Sequence, residues 1–375
     1  MWLLAFVVLA SFAYARKYFP QNNMILIDLY LIWNLICILR GCFVAQLYWD
    51  WKQLIGTGFG MLMPVLCYVF ASPRCDSILM RNFIKSAIIF FLLLLFFSSF
   101  TDRPGRYLTF AYLFMICISG LSNKWKIITL AIVIFSCFYD FGARSNAIRA
   151  IVALLIGLLF YIRYYIYKYL KFVQRVALIM PIFLFCLAVT SAFNIFKINE
   201  YWGDHIIQQI ENGKVKKVNL SADTRTLLYD EVIASAIKNK HVLLGRTPAR
   251  GYESVFFTFS SSEDKVIGIR QGERYGTEVS ILNIFLHTGL IGVLLYFLIF
   301  CYASYLAICK SRNIYIKLIG IFIAFRWCYG WVEDFNQFDI NYAMLWLFIA
   351  MCFSTQFRMM TNRQFRVWLS SITHK

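Results

Sequence analysis

Charged residues are scarce in this chain, and acidic residues are the scarcest. Only 15% of the 375 residues are charged, with 19 Asp and Glu against 37 Lys and Arg, while 61% are hydrophobic. This composition excludes a disordered chain, and it excludes a water-soluble domain because one core cannot bury so much apolar surface. The sequence therefore predicts a membrane protein.

Metal-binding residues are also few. The chain has four histidines without ligand spacing, and its eleven cysteines form no CxxC pair. A zinc centre and a disulfide framework are excluded on this basis. No DxD motif is present on an outward face, although the adjacent acids Glu263-Asp264 and Glu333-Asp334 are able to hold a cation. We expect neither a metal nor a cofactor.

Long apolar runs are plentiful instead. A helix needs ~17–25 apolar residues to cross the hydrocarbon layer, and about eleven runs approach or exceed this length. They lie near 2–15, 24–40, 55–71, 84–100, 107–121, 127–140, 146–162, 176–195, 279–308, 314–332 and 341–357. The predicted fold is all-α and polytopic, with one long, partly helical loop outside the membrane.

Lys and Arg collect in alternate short loops and at the C-terminus, which indicates that these segments are cytoplasmic. The chain then divides into an N-terminal bundle of about eight helices (1–195), a large outer loop (196–277), about three C-terminal helices (278–358) and a basic cytoplasmic tail (359–375). The formal charge of +18 is spread over many loops, so a nucleic-acid partner is not expected, whereas membrane lipid is.

The outer loop contains a helical pattern near 223–241. Ser221 or Asp223 can cap its start, Leu228, Val232 and Ile237 fall on one apolar side, and Gly245 is expected to end it. This loop is too ordered for a plain linker.

Five charged residues near the loop are candidates for chemistry. Arg144 lies at the outer end of a span, Arg225 opens the loop helix, Arg246 and Arg250 follow that helix, and Glu278 precedes the next span. Guanidinium groups suit a diphosphate, and a carboxylate can take a proton from a hydroxyl. Transfer of a group from a diphosphate carrier is the chemistry that this set favours.

The order of these motifs resembles the O-antigen polymerase and O-antigen ligase superfamily of bacterial inner-membrane glycosyltransferases. The resemblance rests on "ARS" at 143–145, "DTR" at 223–225, the Gly- and Arg-rich turn at 245–251 and "GLIG" at 289–292. It implies that Arg144, Arg225 and Arg246 or Arg250 hold the diphosphate of an undecaprenyl-linked glycan. Relatives of the ligase branch carry a His-Asn pair where this chain has Glu278 and Val279, which favours the polymerase branch.

A mechanism follows from the resemblance. An undecaprenyl-diphosphate-linked glycan is the donor, a second lipid-linked repeat unit is the acceptor, and Glu278 is the base. A chain-length regulator is a possible protein partner. A ligase that transfers glycan to a lipid core, and a transporter or flippase of lipid-linked glycan, remain as alternatives.

Each candidate also has a structural interpretation. Arg144 can extend towards lipid headgroups, and Arg225 can pair with Asp223 or Glu231. Glu278 can interact with a helix dipole or with Arg274, which we also include in the diphosphate-binding set. Arg326, inside a span, completes that set, although we expect it first of all to form a structural ion pair with Glu333 or Asp334.

Overall fold

The computed structural model describes residues 2–16, 23–96, 108–138, 144–190, 192–197, 206–211, 214–219, 225–254 and 272–373. Within these ranges the chain is largely α-helical, which confirms the expected fold class. The helices of the N-terminal half are α1 (Trp2–Ala15), α2 (Ile25–Val44), α3 (Tyr48–Met61), α4 (Leu66–Phe70), α5 (Pro73–Phe96), α6 (Ala111–Ile116), α7 (Asn123–Phe138), α8 (Arg144–Leu158), α9 (Arg163–Ile166) and α10 (Leu170–Val189).

The C-terminal half contains one loop helix, three long apolar helices and two short terminal helices. These are α11 (Arg225–Lys238), α12 (Ser280–Cys309), α13 (Ile314–Tyr329), α14 (Ile340–Phe353), α15 (Thr355–Met359) and α16 (Asn362–Thr373). Strands occur in two antiparallel pairs, β1 (Ile206–Glu211) with β2 (Lys214–Asn219) and β3 (Tyr252–Glu253) with β4 (Glu273–Arg274). Short 3-10 helices lie at Met63–Val65, Leu108–Phe110 and Ile118–Gly120.

Side-chain caps define several helix starts in the C-terminal half. Asn313 accepts a hydrogen bond from the Ile316 N–H at the start of α13, and Asp339 accepts one from the Tyr342 N–H at the start of α14, both at 2.9 Å. Such caps satisfy N–H groups that have no partner inside the helix. They fix where the chain enters these two helices.

Apolar helices give the molecule its membrane character. Among the described residues, four helical segments are long and apolar enough to cross a membrane: Ile25–Val44, Tyr48–Phe70, Leu170–Val189 and Ser280–Cys309. Large apolar side chains remain exposed along them, including Phe43, which is 90% exposed, and Phe183, which is 59% exposed. Lipid is the solvent that makes such exposure favourable, and the chain is therefore a helical membrane protein.

The apolar run at 107–121 corrects one expectation. We expected a spanning helix there, but the described part consists of a six-residue helix, α6, between two 3-10 turns. Every residue of α6 is buried. Because protein surrounds this segment, its backbone can be irregular without exposing polar groups to lipid.

Helix α12 is broken at Gly289, where φ is 67° and ψ is −169°. The outer loop supplies the hydrogen bonds that the break removes from the helix. The Leu290 N–H donates to the Val242 carbonyl at 2.9 Å, and the Arg246 N–H donates to the Leu286 carbonyl at 2.7 Å. The loop is thereby bonded backbone-to-backbone into the interrupted helix.

Two glycines make this contact possible. A Cβ on Gly289 would lie 2.2 Å from the Leu243 carbonyl oxygen, and a Cβ on Gly245 would lie 2.5 Å from the Gly289 nitrogen. Both glycines have positive φ. Side chains at either position would separate the two backbones, which explains why glycine is needed at both.

The break also changes the expected length of the span. The helix after Gly289 has about twenty residues and is ~30 Å long, which is enough to cross the hydrocarbon layer. The segment Ser280–Thr288 is therefore not required for crossing. We expected Glu278 at the mouth of the span, but a short helical segment separates it from the break.

Helix α11 ends earlier than expected. Lys240 has φ 57°, the Lys240 N–H donates to the Ile237 carbonyl at 3.1 Å, and the His241 N–H donates to the Ala236 carbonyl at 2.9 Å. These bonds form a Schellman motif, which terminates the helix. Gly245, the expected stop, instead makes the contact with α12.

Contacts around the N-terminal end of α12 define one side of the molecule, which we name the loop side (225–254, 272–279 and 330–339). The Tyr275 hydroxyl donates to Asp50 Oδ1 at 2.8 Å, and the Tyr229 hydroxyl donates to the Trp331 carbonyl at 2.7 Å. Arg40, near the C-terminal end of α2, donates to the Leu244 carbonyl at 2.7 Å. The loop, the α2–α3 turn and the α13–α14 turn therefore meet on one side.

The basic C-terminal segment forms helix α16, whose apolar residues Phe365, Trp368, Leu369 and Ile372 are buried. Trp368 Nε1 donates to the Pro73 carbonyl at 2.9 Å. This helix packs beside the start of α5 and α13, at the end of α12 opposite to the loop side. The loop and the C-terminus thus lie at opposite ends of the helices.

Candidate functional site

Arg225 joins three separate parts of the loop side. As the first residue of α11, it donates from Nε to the Val332 carbonyl at 3.0 Å, from Nη1 to Glu278 Oε2 at 2.5 Å and from Nη2 to Glu333 Oε1 at 3.4 Å. Its side chain is 21% exposed. A planar guanidinium can make all three contacts at once, which an ammonium group cannot do in this geometry.

Glu278 is the most accessible member of this group. Its side chain is 57% exposed, and its second oxygen lies 3.7 Å from Arg274 Nη2. The structure therefore gives Glu278 two arginine partners, and one of them is the expected Arg274. We name Arg225, Arg274, Glu278 and Glu333 the Arg225 cluster.

Glu333 is the less exposed carboxylate of the Arg225 cluster. Burial raises the pKa of Glu333 above its ordinary value, while the neighbouring Arg225 opposes this shift. Its neighbour Asp334 accepts hydrogen bonds from the Asn336 N–H and from Gln337 Nε2, both at 3.1 Å. The two acids face different partners, and no group of three or more metal-ligating side chains occurs in the described ranges.

Arg246 and Arg250 share one buried carboxylate. Arg246 Nη2 lies 3.0 Å from Glu273 Oε1, and Arg250 Nε donates to Glu273 Oε2 at 3.0 Å. Arg250 Nη2 also pairs with Glu273 Oε1. The Glu273 side chain is only 8% exposed, and its hydrogen bond and charge raise the pKa of Arg250.

Glu273 was not among the residues selected from the sequence. It ties the turn after α11 to strand β4, next to Arg274 of the Arg225 cluster. The sequence carried no signal for it, because Glu253, Glu263 and Asp264 all lie nearer to the Gly- and Arg-rich turn along the chain. The positions of Arg246 and Arg250 are thus fixed by an internal ion pair.

The remaining two arginine candidates lie elsewhere. Arg144 is the first residue of α8, and its side chain is outside the described residues. The Tyr329 hydroxyl donates to the Ser145 carbonyl at 3.2 Å, which places the start of α8 beside the end of α13 on the loop side.

Arg326 is 1% exposed and is held inside the protein. Its Nη2 donates to Asn341 Oδ1 at 3.3 Å, and its guanidinium lies 4.0 Å from the centre of the Phe335 ring. The expected ion pair with Glu333 or Asp334 is wrong, because those acids have the other partners described above. Nε and Nη1 of Arg326 have no hydrogen-bond partner among the residues that the structure describes.

A polar cavity of about 610 Å³ adjoins the Arg225 cluster. Its wall is formed by α2, α3, the segment Glu273–Thr277, the first half of α12 and the segment Asp334–Phe338. Arg274 belongs both to this wall and to the Arg225 cluster. The lining includes Tyr30, Gln53, Thr57, Glu273, Arg274, Tyr275, Asn283, His287, Asp334, Asn336, Gln337, Phe338 and Tyr342.

The arrangement combines three chemical capacities on the loop side. Arg225 and Arg274 present guanidinium groups that can bind a phosphate or diphosphate. Glu278 is an accessible carboxylate that can accept a proton. The polar cavity beside them can hold an uncharged polar group.

Comparison of the chain with protein-family models, with curated proteins and with solved structures gives no match.

Proposed function

We propose that this protein polymerises undecaprenyl-diphosphate-linked oligosaccharide repeat units into O-antigen, capsule or exopolysaccharide. The observation that carries the proposal is the Arg225 cluster, in which two arginines hold an exposed carboxylate on the loop side. The order of the sequence motifs, which resembles that of the polymerase branch, supports the same function. The proposal includes about ten spans, since the run at 107–121 is not a continuous helix, together with a bacterial inner-membrane location, a periplasmic loop and a cytoplasmic C-terminus.

The reaction requires one proton transfer and one bond exchange. A hydroxyl oxygen of the acceptor sugar attacks the anomeric carbon of the donor glycan, and the bond from that carbon to the diphosphate oxygen breaks. The bonding electron pair leaves with undecaprenyl diphosphate. Glu278 takes the hydroxyl proton, and the arginines stabilise the charge that develops on the leaving group.

Glu278 and a diphosphate compete for the same donors. Glu278 accepts a hydrogen bond from Nη1 of Arg225 and approaches Arg274. A diphosphate that binds these guanidiniums displaces the carboxylate, since each N–H can serve one strong acceptor. Binding of the donor would thus release Glu278 for proton transfer.

A transporter or flippase of lipid-linked glycan is the second candidate, and the break in α12 favours it. Transporters use interrupted helices whose unpaired backbone groups bind the substrate. Here the groups freed at Gly289 are bonded to Val242 and Arg246 of the loop. Because the loop already forms hydrogen bonds to these backbone groups, they are not free to bind a substrate. We therefore propose the enzyme ahead of the transporter.

Polymerisation by purified protein separates these candidates. Single lipid-linked repeats incubated with the protein in detergent should become longer glycans, which a transporter cannot produce because it forms no glycosidic bond. Glu278→Gln should lower the rate by ~10² to 10⁴, the usual contribution of a positioned base. Glu253→Gln is the matched control, because Glu253 pairs with Lys238 on the same loop outside the cluster.

Three results would overturn the proposal. If the wild type produces no longer glycan, the proposed polymerase function is excluded. If glycan is transferred only to an added lipid core, the protein is a ligase. Near-normal chains from Glu278→Gln would exclude Glu278 as the base. A chelator should leave the rate unchanged, and inactivation by the chelator would assign the chemistry to a metal site.

A further inference from the structure

The lining of the polar cavity beside the Arg225 cluster combines apolar surface with carboxylate and amide groups. Two carboxylates, Glu273 and Asp334, border its volume of about 610 Å³, together with amides such as Gln53 and Gln337. Glu273 is already neutralised by Arg246 and Arg250, Asp334 opposes a second anion, and Arg274 of the wall lies beside Glu278, so the wall leaves little net positive charge for a phosphate. The lining therefore favours an uncharged ligand that carries many hydrogen-bonding groups.

Aromatic rings share the wall with the polar groups. Tyr30, Tyr275, Phe338 and Tyr342 all border the cavity. A sugar ring suits this combination, since its hydroxyls donate to carboxylates and accept from amides while its C–H face packs against aromatic carbon. A volume of this size also falls within the ~300–1,000 Å³ of ordinary ligand pockets.

One buried group in the wall has an unfilled hydrogen bond. His287 is 6% exposed, its imidazole interacts with the Thr247 backbone, and its Nδ1 has no hydrogen-bond partner among the described residues. An unpartnered polar atom beside a cavity is costly unless a ligand or water bonds to it. A sugar hydroxyl is able to make that bond.

The cavity adjoins the proposed reacting groups at Arg274. This residue forms part of the wall and lies 3.7 Å from Glu278. We infer that the polar cavity binds the sugar of the acceptor repeat unit and presents its hydroxyl to Glu278, while the donor diphosphate lies on the Arg225 side. This inference rests on the proposed polymerase function and adds the acceptor subsite to it.

Blocking the cavity tests the inference. Thr57 lies on the α3 wall, and Thr57→Trp would fill part of the volume. Ile55→Trp places the same ring on the same helix at a position that is 41% exposed and is not part of the wall. The probe is the repeat oligosaccharide released from its lipid diphosphate by mild acid, in a detergent that has no sugar headgroup.

We expect saturable binding of this oligosaccharide to the wild type and to Ile55→Trp, and at least a tenfold weaker affinity for Thr57→Trp. Glu253→Gln should bind it like the wild type, because Glu253 pairs with Lys238 and is not part of the cavity wall. In polymerisation assays, Thr57→Trp should raise the acceptor concentration needed for half-maximal rate. If Thr57→Trp fails to fold, Gln337→Ala should weaken binding several-fold without adding bulk.

The outcomes separate the inference from the proposed function. Equal binding by wild type, Thr57→Trp and Gln337→Ala would overturn the acceptor subsite even if polymerisation proceeds. Loss of oligosaccharide binding in Thr57→Trp, combined with a wild type that makes no polymer, would retain the cavity as a sugar site and overturn the polymerase. Absence of binding to the wild type would overturn the subsite directly.

Discussion

Single side chains on the loop side act through shared partners. Arg225 contacts Glu278 and Glu333, and Glu278 also lies near Arg274, so the geometry of each group depends on the others. Arg246 and Arg250 are similarly joined by Glu273. Substitutions within either group are therefore expected to be non-additive.

Replacing Arg225 by lysine tests the guanidinium geometry. Lysine keeps the charge but cannot reach Val332, Glu278 and Glu333 together, and an ion pair as exposed as Arg225–Glu278 contributes only ~0.2–1 kcal/mol to stability. We expect the polymerisation rate to fall tenfold or more while the amount of folded protein in the membrane is unchanged. Arg363→Lys, at an exposed position of α16, is the control. Equal polymerisation rates in the two variants would mean that Arg225 does not take part in the reaction.

Glu333 should give the fold a measurable pH dependence. Because burial raises its pKa, the folded protein retains this proton at pH values where the unfolded chain has lost it. The stability from this group is present below the ordinary glutamate pKa and is lost as the pH rises through the folded pKa. Glu333→Gln, which stays neutral, should show a smaller fall in Tm over this window. An unchanged slope would mean that Glu333 does not contribute.

At the scale of elements, the notable feature is the joint between the outer loop and α12. The chain reverses after α11, and the backbone around Gly245 reaches the break at Gly289. The wall of the polar cavity includes the first half of α12, and Arg246 follows the loop contact directly. This joint therefore sets the position of the Glu273 ion pairs relative to the cavity.

Gly289→Ala should disrupt the joint. Alanine at a φ of 67° is strained, and its Cβ would lie 2.2 Å from the Leu243 carbonyl oxygen. Gly272 is the matched control, because it has φ 79° and no heavy atom within 4 Å of a Cβ. Gly272→Ala carries the backbone strain alone, which costs ~1–2 kcal/mol.

We expect Gly289→Ala to lower the Tm in detergent clearly more than Gly272→Ala. It should also increase proteolysis of the outer loop, because the Val242 and Leu286 carbonyls would lose their donors. Equal Tm values for the two variants would mean that the backbone contact between the loop and α12 does not stabilise the protein.

The whole molecule has a polar loop side and an opposite side formed by α15 and α16. Basic residues lie on both sides, but those on the loop side are mostly paired with acids, whereas the C-terminal segment has Arg358, Arg363 and Arg366 and no acid between 359 and 375. Unbalanced positive charge is retained on the cytoplasmic side during insertion. This asymmetry supports the orientation that the proposed function requires.

Reporter fusions test the orientation. An alkaline phosphatase fusion after Asn239 should be active outside, and a green fluorescent protein fusion at the C-terminus should fluoresce inside. Exchanging the two reporters provides the control, since both should then be inactive. A cytoplasmic loop would separate the Arg225 cluster from periplasmic repeat units and would overturn the proposed function.

The sequence determined the fold class, because the excess of apolar over charged residues can be accommodated only by helices in lipid. It also placed a helix near 223–241, which overlaps α11, and the acid before α12, since apolar periodicity is a local property. The expected caps, Ser221 and Asp223, lie outside the described residues. Leu228 and Val232 are buried as their spacing indicated, whereas Ile237 is 64% exposed. The apolar spacing therefore predicted the helix, but it did not predict which side chains of its last turn are buried.

Tertiary structure decided which charges meet. The Arg225–Glu278 contact joins residues 53 positions apart, and the Arg225–Glu333 contact joins residues 108 positions apart. No local sequence pattern could assign these partners. The break at Gly289 likewise depends on backbone groups from the outer loop, which satisfy N–H and carbonyl groups that an isolated helix would keep for itself. Local composition fixes where helices form, but a site between them depends on packing across the whole chain.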